Sequence, residues 1–168
     1  VFAMVARTVL ESLETAELER AVRTDLVSGV LGPGALQEGL AQALESCGPE
    51  GRPVVVMLVD IDDFARVNAR KGFRYGDRLL REVARTIMRV AGPARRVFRL
   101  TGDEFVICGP VESGRGAERL GMAILEGIRA AGTVDSLTAS VGFALCPVDG
   151  TTTDELLRRA DRARVWVK

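Results

Sequence analysis

The sequence predicts an α+β domain, with helices laid over a largely antiparallel sheet. Three observations carry this reading. Val54 to Val59 is an unbroken apolar run, Val-Val-Val-Met-Leu-Val, whose length and β-branching fit a central strand covered on both faces. Arg96 to Gly109 reads as two short apolar strands joined at Thr101-Gly102-Asp103-Glu104. Around these strands, apolar residues recur at helical spacing, giving the order helix, strand, helix, helix, hairpin, helix, strand, helix.

Residues 2 to 24 form the first helical pattern, with Phe2, Val5, Val9, Leu13, Leu18 and Val22 at roughly helical spacing. It is either a packed helix or a stalk that joins an upstream domain or pairs with another copy of itself, and its spacing is too irregular for a coiled coil. Asp25 to Gly34 is a glycine-rich break. A helix is expected from about Ala35 to Ser46, and a loop over Gly48 to Gly51. The strand at Val54 ends in Asp60-Ile61-Asp62-Asp63-Phe64. Asp62 or Asp63 is expected to cap the next helix. Asp60 is placed at the last strand position, facing a crevice. The short helix runs to about Lys71, carries Asn68 in its second turn, and stops at Gly72.

Gly76-Asp77 is expected to open another helix, with Asp77 as either its N-cap or a ligand contact. Leu79, Leu80, Val83, Ala84, Ile87 and Met88 form its buried stripe, and Gly92-Pro93 ends it. In the hairpin that follows, Gly102 supplies the positive φ of a tight turn. Residues 116 to 131 read as a helix and 137 to 145 as a strand. Thr153 or Asp154 is expected to cap a last helix, with Leu156, Leu157, Ala160 and Ala163 inward.

With 168 residues the chain is long enough for one domain with a sizeable core. Lys+Arg and Asp+Glu are both 23, which argues against a nucleic-acid partner. No apolar run reaches the length of a membrane span and no signal peptide is visible, so a cytoplasmic protein without direct membrane contact is expected. Cys47, Cys108 and Cys146 are far apart and odd in number, which favours buried free thiols. Histidine is absent, so Ser-His and Cys-His nucleophiles and histidine metal sites are excluded. The chain begins at Val1, and a piece of something longer is expected.

Any catalysis would therefore rest on carboxylates, metal ions, lysine or arginine. Asp60, after the first core strand, and Asp103-Glu104, at the hairpin tip, meet if their strands are neighbours. Carboxylates gathered at one edge repel unless a cation sits among them, and oxygen ligands without His or Cys point to magnesium or manganese. Such an ion keeps substrate phosphates among its ligands, so a nucleotide substrate follows.

Six motifs, in order from about residue 25, resemble those of the GGDEF domain, the diguanylate cyclase module of bacterial signalling proteins. They are Asp25-Leu26-Val27-Ser28-Gly29-Val30, Asp60-Ile61-Asp62-Asp63-Phe64 with Asn68, and Gly72-Phe73-Arg74-Tyr75-Gly76-Asp77. The signature follows as Thr101-Gly102-Asp103-Glu104-Phe105, then Ser140-Val141-Gly142-Phe143-Ala144 and Ala160-Asp161 through Lys168. The resemblance implies a nucleotidyl-cyclase, palm-like fold over residues 25–168, with 1–24 as a linker to an upstream sensory domain. It implies that two GTP-loaded copies, as a homodimer, form cyclic di-GMP and pyrophosphate. Asp60, the Ile61 carbonyl, Asp103 and Glu104 would hold the metal, and Asp103 with Glu104 would be catalytic. Asn68 and Asp77 would read guanine, Phe73 would stand in the substrate site, and Lys168 would reach the terminal phosphates.

The sequence departs from the family pattern at Gly32-Pro33, Ala65, Ala69, Phe73, Thr101, Arg164 and Val165. The window of the family's Arg-x-x-Asp inhibitory product site is Gly92-Pro93-Ala94-Arg95, so that site is expected to be missing. An active cyclase and a degenerate GTP-binding or dimerisation module are the two readings. A polymerase palm is set aside for want of basic surface and companion domains.

Overall fold

The computed structural model describes residues 23–47, 51–131 and 137–164. A four-stranded sheet forms the centre, in the order β2-β3-β1-β4, with every neighbouring pair antiparallel. Strand β1 is Val54–Ile61, β2 Arg96–Thr101, β3 Glu104–Pro110 and β4 Ala139–Cys146. The helices are α1 Leu36–Glu45, α2 Phe64–Lys71, α3 Phe73–Ala91, α4 Gly114–Ala131 and α5 Thr153–Arg164. The expected element order holds from α1 onward. The first helical pattern, residues 2 to 24, lies outside the described residues except for its end. There Thr24 is paired in a β-bridge with Leu31, and Leu31 bridges in turn to Phe98.

The two-residue period of β1 divides the core. Val55, Met57, Val59 and Ile61 pack with Leu80, Val83 and Ile87 of α3 and Leu120, Ile124 and Ile128 of α4. Val54, Val56 and Leu58 face the other way, against Leu36 and Leu40 of α1 and Leu156 and Ala160 of α5. Each such apolar side chain contributes about 2 kcal/mol when fully buried. The strand is thus held firmly enough to fix the direction of every residue on it. Asp60 continues the Val54-Val56-Leu58 face and points to the α5 side.

Several local expectations are corrected. β1 runs through Ile61, so Asp60 is the penultimate residue of the strand, not the last. Neither Asp62 nor Asp63 caps α2 with its side chain: Asp63 stands at the N-cap with φ 57, and Asp62 is drawn to β4 instead. Helix α3 starts at Phe73, so Asp77 lies in its second turn and is not an N-cap. Gly72, with φ 84, both ends α2 and starts α3, a conformation that glycine adopts without strain. Met88 is 40% exposed, outside the α3 stripe. The last helix is capped by Thr152, whose Oγ1 accepts the Glu155 N–H at 3.4 Å. The Glu155 carboxylate in turn accepts the Thr151 N–H, a reciprocal arrangement of the capping-box kind.

The cysteine expectation holds only for Cys108, a buried free thiol whose pKa burial pushes up to about 11. Cys47 and Cys146 form a disulfide across 99 residues of sequence. The packing of α1 and β4 on one core face brings them together, which linear spacing does not reveal.

Helix α5 lies close on β4 because Gly142 has no side chain. A Cβ there would meet the Ala160 carbonyl and the Arg164 backbone. Gly142→Ala is expected to lower stability by about 3 kcal/mol or more, at the top of the range for overpacking, because rigid backbone must move. Thermal unfolding of the variant checks this.

Candidate functional site

The β1–β3 register sets Asp60 opposite Glu104, and the β1–β4 register sets it opposite Ser140. Directly opposite residues of antiparallel strands share a face, so Asp60 and Glu104 project together. The hairpin tip is the two-residue turn Gly102-Asp103, with Gly102 at φ 45. The Ile61 N–H donates to the Asp103 carbonyl at 3.3 Å, which ties the tip to the end of β1. The expected meeting of Asp60 with Asp103-Glu104 therefore occurs.

Arg99 fixes the tip from the other side. Its Nε and Nη2 donate to the Gly102 carbonyl at 2.9 and 2.6 Å. Its Nη1 donates to Asp25 Oδ1 at 2.8 Å. The same oxygen accepts the Ser28 N–H at 2.7 Å and the Ser28 hydroxyl at 2.6 Å. Burial works against the Asp25 charge, but the bonds from Ser28 and Arg99 outweigh it and hold the carboxyl below its ordinary value.

A cation already sits between the two facing carboxylates. Arg164, in the last turn of α5, donates from Nη1 to Asp60 Oδ2 at 2.7 Å and to Glu104 Oε1 at 2.8 Å. Its Nη2 donates to Asp161 Oδ1 at 2.8 Å. The guanidinium side chain is only 19% exposed, and those of Asp60 and Glu104 are 30% and 25% exposed. Thr101, at the place of the first signature glycine, donates its hydroxyl to Glu104 Oε2 at 3.0 Å. Asp62 takes no part in this clasp. It accepts from Thr138 Oγ1 at 2.7 Å and Ser140 Oγ at 2.8 Å, which joins the β1 end to β4.

The electrostatics follow from this crowding. Burial pushes the Asp60 pKa up, and the charges of Asp103, Glu104 and Asp62 push the same way. Arg164 opposes them without cancelling them. Burial disfavours the Arg164 charge, but its bond to Glu104 and the Asp60 and Glu104 charges raise its pKa all the same, so it stays a cation. Among the described residues, no three acidic or cysteine side chains converge closely enough to hold a metal ion as they stand. One oxygen each of Asp60 and Glu104 is engaged by the guanidinium.

Asn68 and Asp77 lie on the two helices that follow β1. Asn68 Oδ1 is buried and has no hydrogen-bond partner. It lies against Gly76, where a Cβ would collide with it. Pressed against Gly76 and shut off from solvent, this oxygen is an unsatisfied acceptor at the α2–α3 junction. Asp77 is half-buried one residue further along α3. Phe73, at the start of α3, is 78% exposed. Lys168 lies outside the described residues.

Arg164 stands among the departures from the family pattern, with no role predicted for it. The signal was present. Leu156, Ala160 and Arg164 are spaced by four, so an arginine continues the inward stripe of α5. A cation at an inward position needs an acidic partner, and the acids at the edge of β1 had none.

Fold and site together define an α+β, palm-like domain that gathers carboxylates at one edge of an antiparallel sheet. The sequence pattern of the family described as "Diguanylate cyclase, GGDEF domain" matches residues 22–168. The chain belongs to the GGDEF domain family. The cyclic di-GMP phosphodiesterase NbdA of Pseudomonas aeruginosa is 33% identical over 152 residues, 88% of this chain and 19% of that protein. Diguanylate cyclase TpbB of the same species is 31% identical over 164 residues, 92% of this chain and 37% of that protein. The chain thus spans well under half the length of these curated relatives. Among solved structures, the coiled coil and GGDEF domain of DgcB from Caulobacter crescentus, in complex with c-di-GMP, superposes with a TM-score of 0.80. The identity is 26%, over 97% of this chain and 91% of that one. No helix among the described residues is long and apolar enough to cross a membrane.

Asp25→Asn is expected to cost about 1–2 kcal/mol at neutral pH, through loss of charge-assisted bonds. The folded pKa of Asp25 lies below its ordinary 3.8, so its contribution is complete above that value and is lost as pH falls through the folded one. Urea unfolding at pH 7 and pH 3 should show the gap between wild type and variant closing in acid.

Proposed function

We propose that the chain is a diguanylate cyclase, which condenses two GTP into cyclic di-GMP and two pyrophosphates. The observation that carries this reading is the convergence of Asp60 and Glu104 on one cation, at 2.7 and 2.8 Å, beside the Asp103 tip. The guanidinium stands where a metal ion would be expected, and the donors are hard carboxylate oxygens, so the residues fit magnesium or manganese. Asp60, Asp103, Glu104 and the Ile61 carbonyl would hold it. Bound there, the ion would offset triphosphate charge and polarise the α-phosphate.

The chain's own residues supply the rest. Asp103 has a carboxylate at the tip of a turn anchored by Arg99 and β1, and it accepts the proton of the attacking 3′-hydroxyl. That hydroxyl oxygen bonds to the α-phosphorus of the GTP on the other copy, and pyrophosphate leaves. Asn68 and Asp77 read guanine. A carboxylate accepts from guanine N1–H and its 2-amino group, whereas adenine offers an acceptor at N1. Lys168 meets the terminal phosphates. Phe73 takes the place of a family histidine at the rim of the site. The reaction requires two copies, and residues 1–24 link the domain to an upstream sensory part in the cytoplasm. With Gly92-Pro93-Ala94-Arg95 in place of Arg-x-x-Asp, the product does not inhibit through that site.

One observation favours a second reading. Arg164 engages the oxygens that a metal would need, as expected if the domain had become a binding or dimerisation module without turnover. Incubating the purified chain at high concentration with GTP and Mg²⁺, and analysing products by mass, separates the two. Cyclic di-GMP is expected, and Asp103→Asn with Glu104→Gln should lower its formation at least about 10²-fold with the fold intact. Absence of product beside intact GTP binding would favour the module.

Asn68→Ala should weaken GTP binding about tenfold, one lost hydrogen bond's worth, and leave thermal stability nearly unchanged. Gly76→Ala should weaken it similarly by displacing the Asn68 side chain. Calorimetry with a non-hydrolysable GTP analogue checks both.

A further inference from the structure

We propose that Arg164 is a resident counter-ion that keeps the acidic cluster closed to free divalent cations, so that the metal enters together with a nucleoside triphosphate and not alone. The inference rests on the reading of Asp60 and Glu104 as cation ligands.

The geometry is specific. One nitrogen, Nη1, serves both carboxylates, and the second, Nη2, is held by Asp161 one turn back on the same helix. Arg164 is thus aimed from its own helix before it meets the sheet. Its backbone is pressed to β4 at Gly142, which limits how far α5 can withdraw. The helix carries no other residue into the gap between Asp60 and Glu104 among the described contacts.

The consequence is a competition between cations. A free divalent ion must displace the guanidinium from two oxygens, and the displaced arginine, only 19% exposed, would lose two of its three carboxylate partners and keep only Asp161, which is costly. A nucleoside triphosphate changes the balance. Its phosphate oxygens offer the planar guanidinium a bidentate partner, so one ion pair is exchanged for another. The same phosphates add ligands to the incoming cation. No bond other than ionic and coordinate contacts changes, and no proton moves.

Arg164→Leu tests this, since leucine suits an inward helical position, with Arg164→Met as a second aliphatic replacement should the first not fold. The probe is Mn²⁺ alone, followed by electron paramagnetic resonance, with the Mn²⁺-dependent rise in melting temperature as a second readout. Without nucleotide, both variants are expected to bind Mn²⁺ at least tenfold more tightly than wild type, and Mn²⁺ should raise their melting temperature more than that of wild type. With a non-hydrolysable GTP analogue present, the difference should shrink to within about threefold. Equal Mn²⁺ affinity of wild type and variants without nucleotide would overturn the proposal. Failure of all three proteins to bind Mn²⁺ even with the analogue would overturn the cation site as well. A tenfold gain in the variants, with no cyclic di-GMP from any of them, would sustain this inference and remove the cyclase reading.

Discussion

The structure depends on the alternation of side chains along β1. A strand buried on both faces has no freedom to slip, because a shift of one residue would exchange its two cores. Val54, Val56 and Leu58 are committed to α1 and α5, and the intervening residues to α3 and α4. Asp60 inherits its direction from them. The pairing of β1 with β3 then puts Glu104 beside it, and α5 closes over the same face with Arg164. A polar cluster at the edge of the sheet is thus positioned by apolar packing at its centre.

Much of this was legible in the residues. The apolar run at Val54 and the hairpin about Gly102 are strong local signals, because each needs particular residue types in sequence. The adjacency of Asp60 and Asp103-Glu104 follows if their strands are neighbours. Boundaries were harder. Gly76-Asp77 has the composition of a helix start, yet Gly72 provides the turn and the helix begins four residues earlier at Phe73. Thr152 caps α5 where Thr153 and Asp154 looked equally suitable. Such choices depend on which side chain reaches which N–H, and composition does not decide that.

The larger omissions are long-range. The Cys47–Cys146 pair joins residues 99 apart, and nothing in their spacing marks them as partners. Arg164 meets Asp60 across 104 positions and Glu104 across 60. Its placement on the inward stripe was visible, but its partners emerge only when α5 is laid on β4. Asp62, one of the two residues expected as a helix cap, serves as a clasp between strands because Thr138 and Ser140 face it once β4 pairs with β1.

Arg99 joins two parts of the chain that have different tasks. At one end it holds Asp25, where the chain enters the described domain. At the other it holds Gly102, the turn that presents Asp103. A guanidinium is planar and rigid, so the link between these points is a strut with little slack. Backbone displacement at Asp25 beyond the tolerance of a hydrogen bond must either carry the hairpin tip with it or break Arg99 from one end. The place where a preceding segment would push or twist the domain and the place where Asp103 is presented are therefore mechanically in series, separated by a single side chain.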